Sequence, residues 1–513
     1  VSRDGILPLD DVFKRPVVQV SLGVHVEGAA NPHACPRHAV SLECSFKKRV
    51  AAKTPRANRK LRLRFRKFVR RYVRQNFPQL EPDTDLSLET WLAATKYPES
   101  RKNQLRAAAA KVCNDPTWNN KYWAMVDAFG KDECYPAYKY ERGIYARRDE
   151  FKTIVGPLFH AMEELVYKHP GFIKHVPVLD RAAYVRDRLQ LPGACYMATD
   201  YTAFESHFDA QMMEECEFQL YRWMIGDSVE MRRILDYYER TVCAVNHIQF
   251  RRILKASMPA GRMSGEMTTS LGNGFTNLMI YLFMLKELGL SEHDNPCVVE
   301  GDDCLARLLT FDYGVVQRFY TDMGMNVKIE CHSDLGLASF CGLVFDVENL
   351  VVVPDPIKVI LNTGWCAARY KDSSDRVLRE LLRGKAMSVM CNAIGCPILQ
   401  SYAQYLLRVT SGSRYRIDDY WLRARVAAVW DSLISREIEP ESRAIMEKKY
   451  GVSMQDQIYL ENTFDALDSL EPFDDEIFRK YCHPDTLHYF YHYVRADEGE
   501  VVAFALPDQK VNS

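Results

Sequence analysis

An α+β fold is what this sequence predicts, and three observations carry it. An apolar strand at Tyr196-Met197-Ala198-Thr199 runs into acids, and a second apolar string, Cys297 to Leu305, folds back on itself at Gly301-Asp302-Asp303. Longer amphipathic runs, Arg59 to Phe77, Val377 to Met390 and Pro397 to Val409, carry helical spacing. The 513 residues with 47% hydrophobic content can bury a large core, and about 100–200 residues per domain suggests roughly three lobes.

Residues 1–58 mix Gly, Pro and His with short apolar runs such as Val17-Val18-Gln19-Val20, and read as an extension of loops and brief strands. His25, His33, Cys35, His38 and Cys44 could each bind a metal, but their spacing matches no standard zinc pattern, so they read as loop residues. From Ser45 to Leu80 every charged residue is basic. The helix expected over Arg59–Phe77 has an apolar stripe of Leu61, Leu63, Phe65, Phe68, Val69, Tyr72 and Val73 in a cationic remainder. That remainder, with Arg62, Arg66, Arg70 and Arg71, suits RNA phosphates, because such contacts neutralise charge without reading bases. A plain exposed face and an anionic membrane surface are the competing readings. The net charge of −1 hides this asymmetry, since the segment after Ile438 is rich in Asp and Glu.

Asp200 ends the first strand, and Glu205 follows five residues later, ahead of a helix expected through Met212 to Met224. A Gly-rich loop from Gly261 leads into a helix on which Thr269, Asn273 and Asn277 recur four apart and so share a face. Small polar groups in such a row can hydrogen-bond a sugar, and the 2′-hydroxyl is what separates RNA from DNA. Leu278 to Leu285 is the longest apolar stretch, far short of the roughly 20 residues that cross a bilayer. The turn at Gly301 would hold Asp302 and Asp303 at a hairpin tip, where Gly accepts unusual backbone angles. Strand-end carboxylates of this kind supply the hard oxygen ligands that two Mg²⁺ ions need in nucleotidyl transfer. Fifteen cysteines without paired CxxC spacing make a disulfide framework unexpected and reduced thiols the default.

Over about Lys139 to Gly342 these strings resemble the RNA-dependent RNA polymerases of positive-strand RNA viruses, closest in wording to the tombusvirus-like and nodavirus-like groups. Asp200 with Glu205 resembles motif A, Ser264 to Asn273 motif B, and Gly301-Asp302-Asp303 motif C. Lys139 to Arg148 resembles motif F, Gly324 to Lys328 motif D, and Ser339 to Leu343 motif E. The resemblance implies a right-hand polymerase: fingers over 59–195 and 214–257, palm over 196–213 and 258–353, thumb and C-terminal region over 354–513. It also implies two Mg²⁺ ions, with Mn²⁺ as a substitute, on Asp200, Asp302 and Asp303. Lys328 would protonate the leaving pyrophosphate. Lys139, Arg142, Arg147, Glu205, Ser264, Gly265, Thr269 and Asn273 would bind the nucleoside triphosphate and its ribose, and Cys341 and Gly342 would support the RNA strand. Glu205 departs from the family's usual Asp, so ribose contact could be displaced or shared with Asp209.

Template and product RNA and nucleotides are the implied partners. Lacking a transmembrane segment of its own, the chain would work in host cytoplasm at membranes, through another viral replication protein. A start at Val1 rather than Met fits a cleaved polyprotein, a readthrough extension or a trimmed chain. Two other readings remain at this level: a reverse transcriptase, with Tyr201 after Asp200, and an RNA-binding subunit that has lost catalysis.

Overall fold

The computed structural model describes residues 19–34, 38–52, 54–250 and 253–494. Val17, Val18 and Cys35 lie outside them. The chain folds as two compact units: Ala39–Lys131 with Arg142–Cys341, and the described parts of Leu7–His38, Asp132–Glu141 and Gly342–Ser513. The extension expected over 1–58 is therefore divided between them.

In the first unit, α1 (Arg59–Asn76) begins at Asn58, whose side chain accepts from the backbone N–H groups of Lys60 and Leu61 at 3.0 and 3.2 Å. Its apolar stripe is buried as the spacing predicts, except Leu63, which is half exposed. The strands β1 (Val126–Gly130) and β2 (Gly143–Arg147) precede the long helix α2 (Asp149–Val166). β3 (Cys195–Tyr201) is followed by a 3₁₀ turn, Phe204–His207. The helix expected through Met212–Met224 is two pieces, α3 (Ala210–Glu215) and α4 (Glu217–Met224). They part because Cys216 leaves helical geometry, at φ −121° and ψ −86°.

After α5 (Val229–Val242) come β4 (Asn246–Phe250) and β5 (Leu254–Met258), which complete a four-stranded sheet in the order β2-β1-β4-β5. Only the β1–β4 pairing in it is parallel. Helix α6 (Thr269–Leu288) is buried without interruption from Leu271 to Leu285, so the apolar run Leu278–Leu285 is the spine of the core. No helix among the described residues is long and apolar enough to cross a membrane. β6 (Cys297–Glu300), β7 (Asp303–Leu308), α7 (Tyr313–Asp322) and β8 (Val327–His332) close the unit. Their sheet is antiparallel, in the order β6-β7-β3-β8. β3 is thus hydrogen-bonded on both edges.

Across β3 and β8 the cysteines Cys195 and Cys331 stand side by side, with Cα atoms 6.3 Å apart. Neighbouring strands bring these two together, and the other described cysteines are free.

The second unit is mainly helical, with helices Asp375–Asn392 and Leu399–Val409 close to their expected bounds. Residues Gln19–Ser21 pair antiparallel with Trp365–Ala367. Its core gathers Val20, Leu382, Tyr402, Leu406, Phe464 and Phe473. His25 is buried there between Ser21 and Glu27, at 2.7 and 2.9 Å, and His33 meets Asp132 at 3.2 Å. Together the two units make a mixed α+β protein.

Candidate active site

Strand pairing brings the acids together. Thr199 lies opposite Cys304, and Asp200 opposite Lys328, so the end of β3 stands beside the β6–β7 tip. Gly301 at that tip has φ +62°, a conformation that costs an L side chain dearly. Asn277 of α6 donates to the Gly301 carbonyl at 3.2 Å and accepts from the Tyr201 hydroxyl at 3.2 Å. Asn277 is therefore a brace between helix and tip. Tyr201 is buried in the same contact, so it does not guard a sugar pocket.

Burial, together with Glu205 and Asp200 nearby, raises the Asp302 carboxyl to about 6. Burial and Asp302 raise Asp303 to about 7. Arg142 works in the opposite direction on Asp302, which places its guanidinium within electrostatic reach. Among the described residues no three acid, His or Cys side chains converge as a finished metal cage. Carboxylates crowded in this way suit Mg²⁺, which is usually held by one or two protein carboxylates with water and substrate phosphate completing the shell.

A cavity of about 560 Å³ opens above these acids, lined by Asp302, Gly301, Glu205, Ser264, Gly265, Thr269, Asn273 and Arg142 among others. Asn273 donates to Glu205 Oε1 at 3.4 Å, which connects α6 with the turn after β3. The longer side chain of Glu205 spans that gap. Asp209 is not available to share the contact, because it caps α3 by accepting from Met212 N–H at 2.7 Å. Thr269 hydroxyl donates to the Met263 carbonyl at 2.9 Å and accepts from Gly265 N–H at 3.2 Å, closing the loop on itself. Of the expected polar row, Asn273 and Thr269 line the cavity, with Ser264 beside them, and Thr269 also shapes the loop.

Several expected site residues stand elsewhere. Arg147 is buried, donating to Glu266 at 2.6 Å and to the Ala124 carbonyl at 2.6 Å, so it holds structure and does not meet a triphosphate. Arg62 is likewise turned inward, 2.5 Å from buried Glu215. Its place on the apolar side of α1 dictates this. Arg66 pairs with Glu214 at 3.0 Å, while Arg70 and Arg71 are exposed and make no ion pair among the described residues. Lys139 belongs to the second unit, its amine 4.3 Å from the Tyr135 ring. Lys328 is exposed and pairs with Glu330 at 2.6 Å, which raises its pKa and keeps it protonated. Cys341 and Gly342 form a tight turn, both at positive φ, +53° and +73°. The Cys341 thiol is 3.9 Å from Glu300, which Arg181 holds at 2.7 Å.

The cavity also takes in Arg49, Lys152 and Lys174, which sequence reasoning did not single out. Arg49 sits in the basic stretch, but its placement depends on Phe46 and Val50 packing with Tyr145 and Phe250, a tertiary contact without local signal. Lys174 is hydrogen-bonded to Ser270 on the first turn of α6.

Comparison with known proteins agrees with this geometry. Residues 159–471 match the family model described as viral RNA dependent RNA polymerase. The RNA-directed RNA polymerase of Groundnut rosette virus (strain MC1) is 22% identical over 335 residues, covering 61% of this chain and 37% of that protein. That of Striped jack nervous necrosis virus is 25% identical over 218 residues, 41% of this chain and 22% of that protein. The polymerase of Panicum mosaic virus (strain United States/Kansas 109S) is 22% identical over 348 residues, 65% of this chain and 34% of that protein. The chain thus spans between about a fifth and somewhat over a third of these relatives' length. With the matched model covering most of the chain, and the strand-end acids standing together beneath the loop that carries Ser264, the chain belongs to the viral RNA-dependent RNA polymerase family.

Proposed function

We propose that this chain catalyses RNA-templated RNA synthesis, adding nucleotides from nucleoside triphosphates to the 3′ end of an RNA strand. The observation that carries the reading is the meeting of Asp200, at the end of β3, with Asp302 and Asp303 of the β6–β7 hairpin, below a cavity lined by Ser264, Asn273 and Glu205. In this reading 59–195 and 214–257 serve as fingers, 196–213 and 258–353 as palm, and 354–513 as thumb and C-terminal region.

Asp200, Asp302 and Asp303 would hold two Mg²⁺ ions, which when bound lower the pKa of the attacking 3′-hydroxyl and neutralise charge on the phosphates. The protein's own groups do the rest. Arg142, with Arg49 and Lys174 in the same cavity, attracts the triphosphate. Asn273 and Glu205 meet the ribose. Lys328, protonated and opposite Asp200 in the sheet, would give a proton to departing pyrophosphate. The exposed cations of α1 would attract RNA. Attachment to host cytoplasmic membranes would fall to another viral protein.

Primer extension on an RNA template tests the reading. The wild-type protein with Mg²⁺ should extend with ribonucleotides, and Asp302→Ala should abolish extension while leaving the protein folded, with a melting temperature no lower than the wild type's. Undiminished extension by Asp302→Ala would sink it. Extension with deoxyribonucleotides alone would assign the chain to reverse transcription instead.

A further inference from the structure

The loop from Gly261 to Thr268 carries Ser264 and Gly265 into the cavity, while the charged side chains that flank them, Arg262 and Glu266, are each buried in an ion pair. Arg262 and Glu217 form an ion pair whose side chains are both 0% exposed. Arg262 also donates to the Thr268 carbonyl at 3.0 Å and to the Thr268 hydroxyl at 3.3 Å, and its guanidinium lies 4.7 Å from the Phe208 ring. The Thr268 hydroxyl and that of Tyr238 are 2.8 Å apart. Glu266 is paired in the same manner with buried Arg147, which is anchored in turn by Asn246 and the Ala124 carbonyl. Between these two anchors the Ser264 carbonyl accepts from Tyr145 N–H of β2 at 2.6 Å.

The Glu217–Arg262 pair has a seat made for it. A Cβ on Gly272, in the first turn of α6, would lie 2.3 Å from Glu217 Oε2 and 2.5 Å from one Arg262 nitrogen. Glycine inside a helix lowers its stability, so a glycine filled by two charged side chains indicates that the pair's position matters there. The break at Cys216 is what lets Glu217 start a new helix with its carboxylate directed at that seat. Burying an ion pair is a poor route to stability, since apolar residues of similar volume often serve as well or better. What such a pair does supply is a fixed distance and direction between the elements it joins. Here those elements are α4, the loop, and the helix that carries Asn273.

We propose that Glu217 and Arg262, seated against Gly272, are positioning residues that fix the Ser264–Gly265 loop relative to Asn273 and thereby set ribose selection. The sugar-selecting part of this inference rests on the polymerase reading; the anchoring part does not. The test therefore has two readouts on the double variant Glu217→Leu/Arg262→Met, in which no buried charge is stranded. Hydrogen exchange reads the anchoring: amides of residues 262–272 should lose at least tenfold protection, while those of β8 keep theirs. Primer extension reads the consequence: the preference for ribonucleotides over deoxyribonucleotides should fall at least threefold, with RNA affinity unchanged. The single variants Glu217→Leu and Arg262→Met should melt well below the double variant, because each strands one charge. A folded double variant with wild-type protection over 262–272 overturns the proposal whether or not the protein polymerises. Lost protection with unchanged ribose preference overturns the selective role. Absence of extension by the wild type would instead count against the polymerase reading, leaving exchange to judge the anchor.

Discussion

At single residues the candidate site is defined by which polar groups are already occupied. Asn273 donates only to Glu205, across 3.4 Å, and keeps capacity for a substrate hydroxyl. A site built to pair a hydroxyl rejects the analogue lacking it, because its own groups are then left unpaired. Asn273→Ala should thus lower ribonucleotide efficiency more than deoxyribonucleotide efficiency, with the preference ratio falling by roughly threefold to tenfold, the equivalent of one hydrogen bond. Steady-state kinetics with both substrates measures it; equal losses would reduce Asn273 to a support for the loop. The acids make a second prediction. Asp302 and Asp303, raised to about 6 and about 7, hold protons more tightly in the folded than in the unfolded chain. Their contribution to stability is full below about pH 4 and is lost as the pH rises to about 7. Without divalent ions, Asp302→Asn should melt above the wild type at pH 7.5, and the difference should vanish towards pH 4. Thermal melts in chelator across that range decide the matter.

Among the elements, α1 shows how far periodicity reaches. Its bounds and nearly all of its buried stripe follow from the sequence, whereas the fate of each arginine does not. Arg62, Arg64 and Arg66 meet Glu215, Glu287 and Glu214, acids that lie more than 140 residues away in sequence. Lys67, Arg70 and Arg71 remain exposed without an ion pair among the described residues. If this face binds RNA, replacing the three by Gln should weaken binding and flatten the plot of log affinity against log salt by about 0.7 per lost phosphate contact. Filter binding over a salt series measures the slope, and an unchanged one would leave the helix a solvated face. The row Thr269, Asn273 and Asn277 gives the same lesson. Helical spacing placed the three on one side of α6, but only the strands around it divide their work into closing a loop, meeting Glu205 and bracing the hairpin tip.

For the whole molecule, the acids proposed to hold metal, Asp200, Asp302 and Asp303, all belong to the first unit. Adding Mg²⁺ should accordingly protect backbone amides around β3 and the β6–β7 hairpin from hydrogen exchange and leave the helices after Asp375 unaffected. Equal protection in both units would argue against a local site. The order of strand, Gly-rich loop and hairpin was legible in the chain because each needs local chemistry: an acid after an apolar run, Gly at a turn, small polar groups four apart. What escaped it was long-range. The division of residues 19–58 between two units, the inward turn of Arg147 and the presence of Arg49 at the cavity all depend on partners distant in sequence. One feature of the sheet bears on how such a protein can change over generations. Because β3 is paired on both edges, a single inserted or deleted residue within Cys195–Tyr201 would turn Asp200 to the opposite face and break the pairing with both neighbours. Viable descendants should vary in length at exposed connections such as Ser411–Arg414, while the count of residues between Cys195 and Asp200 stays constant.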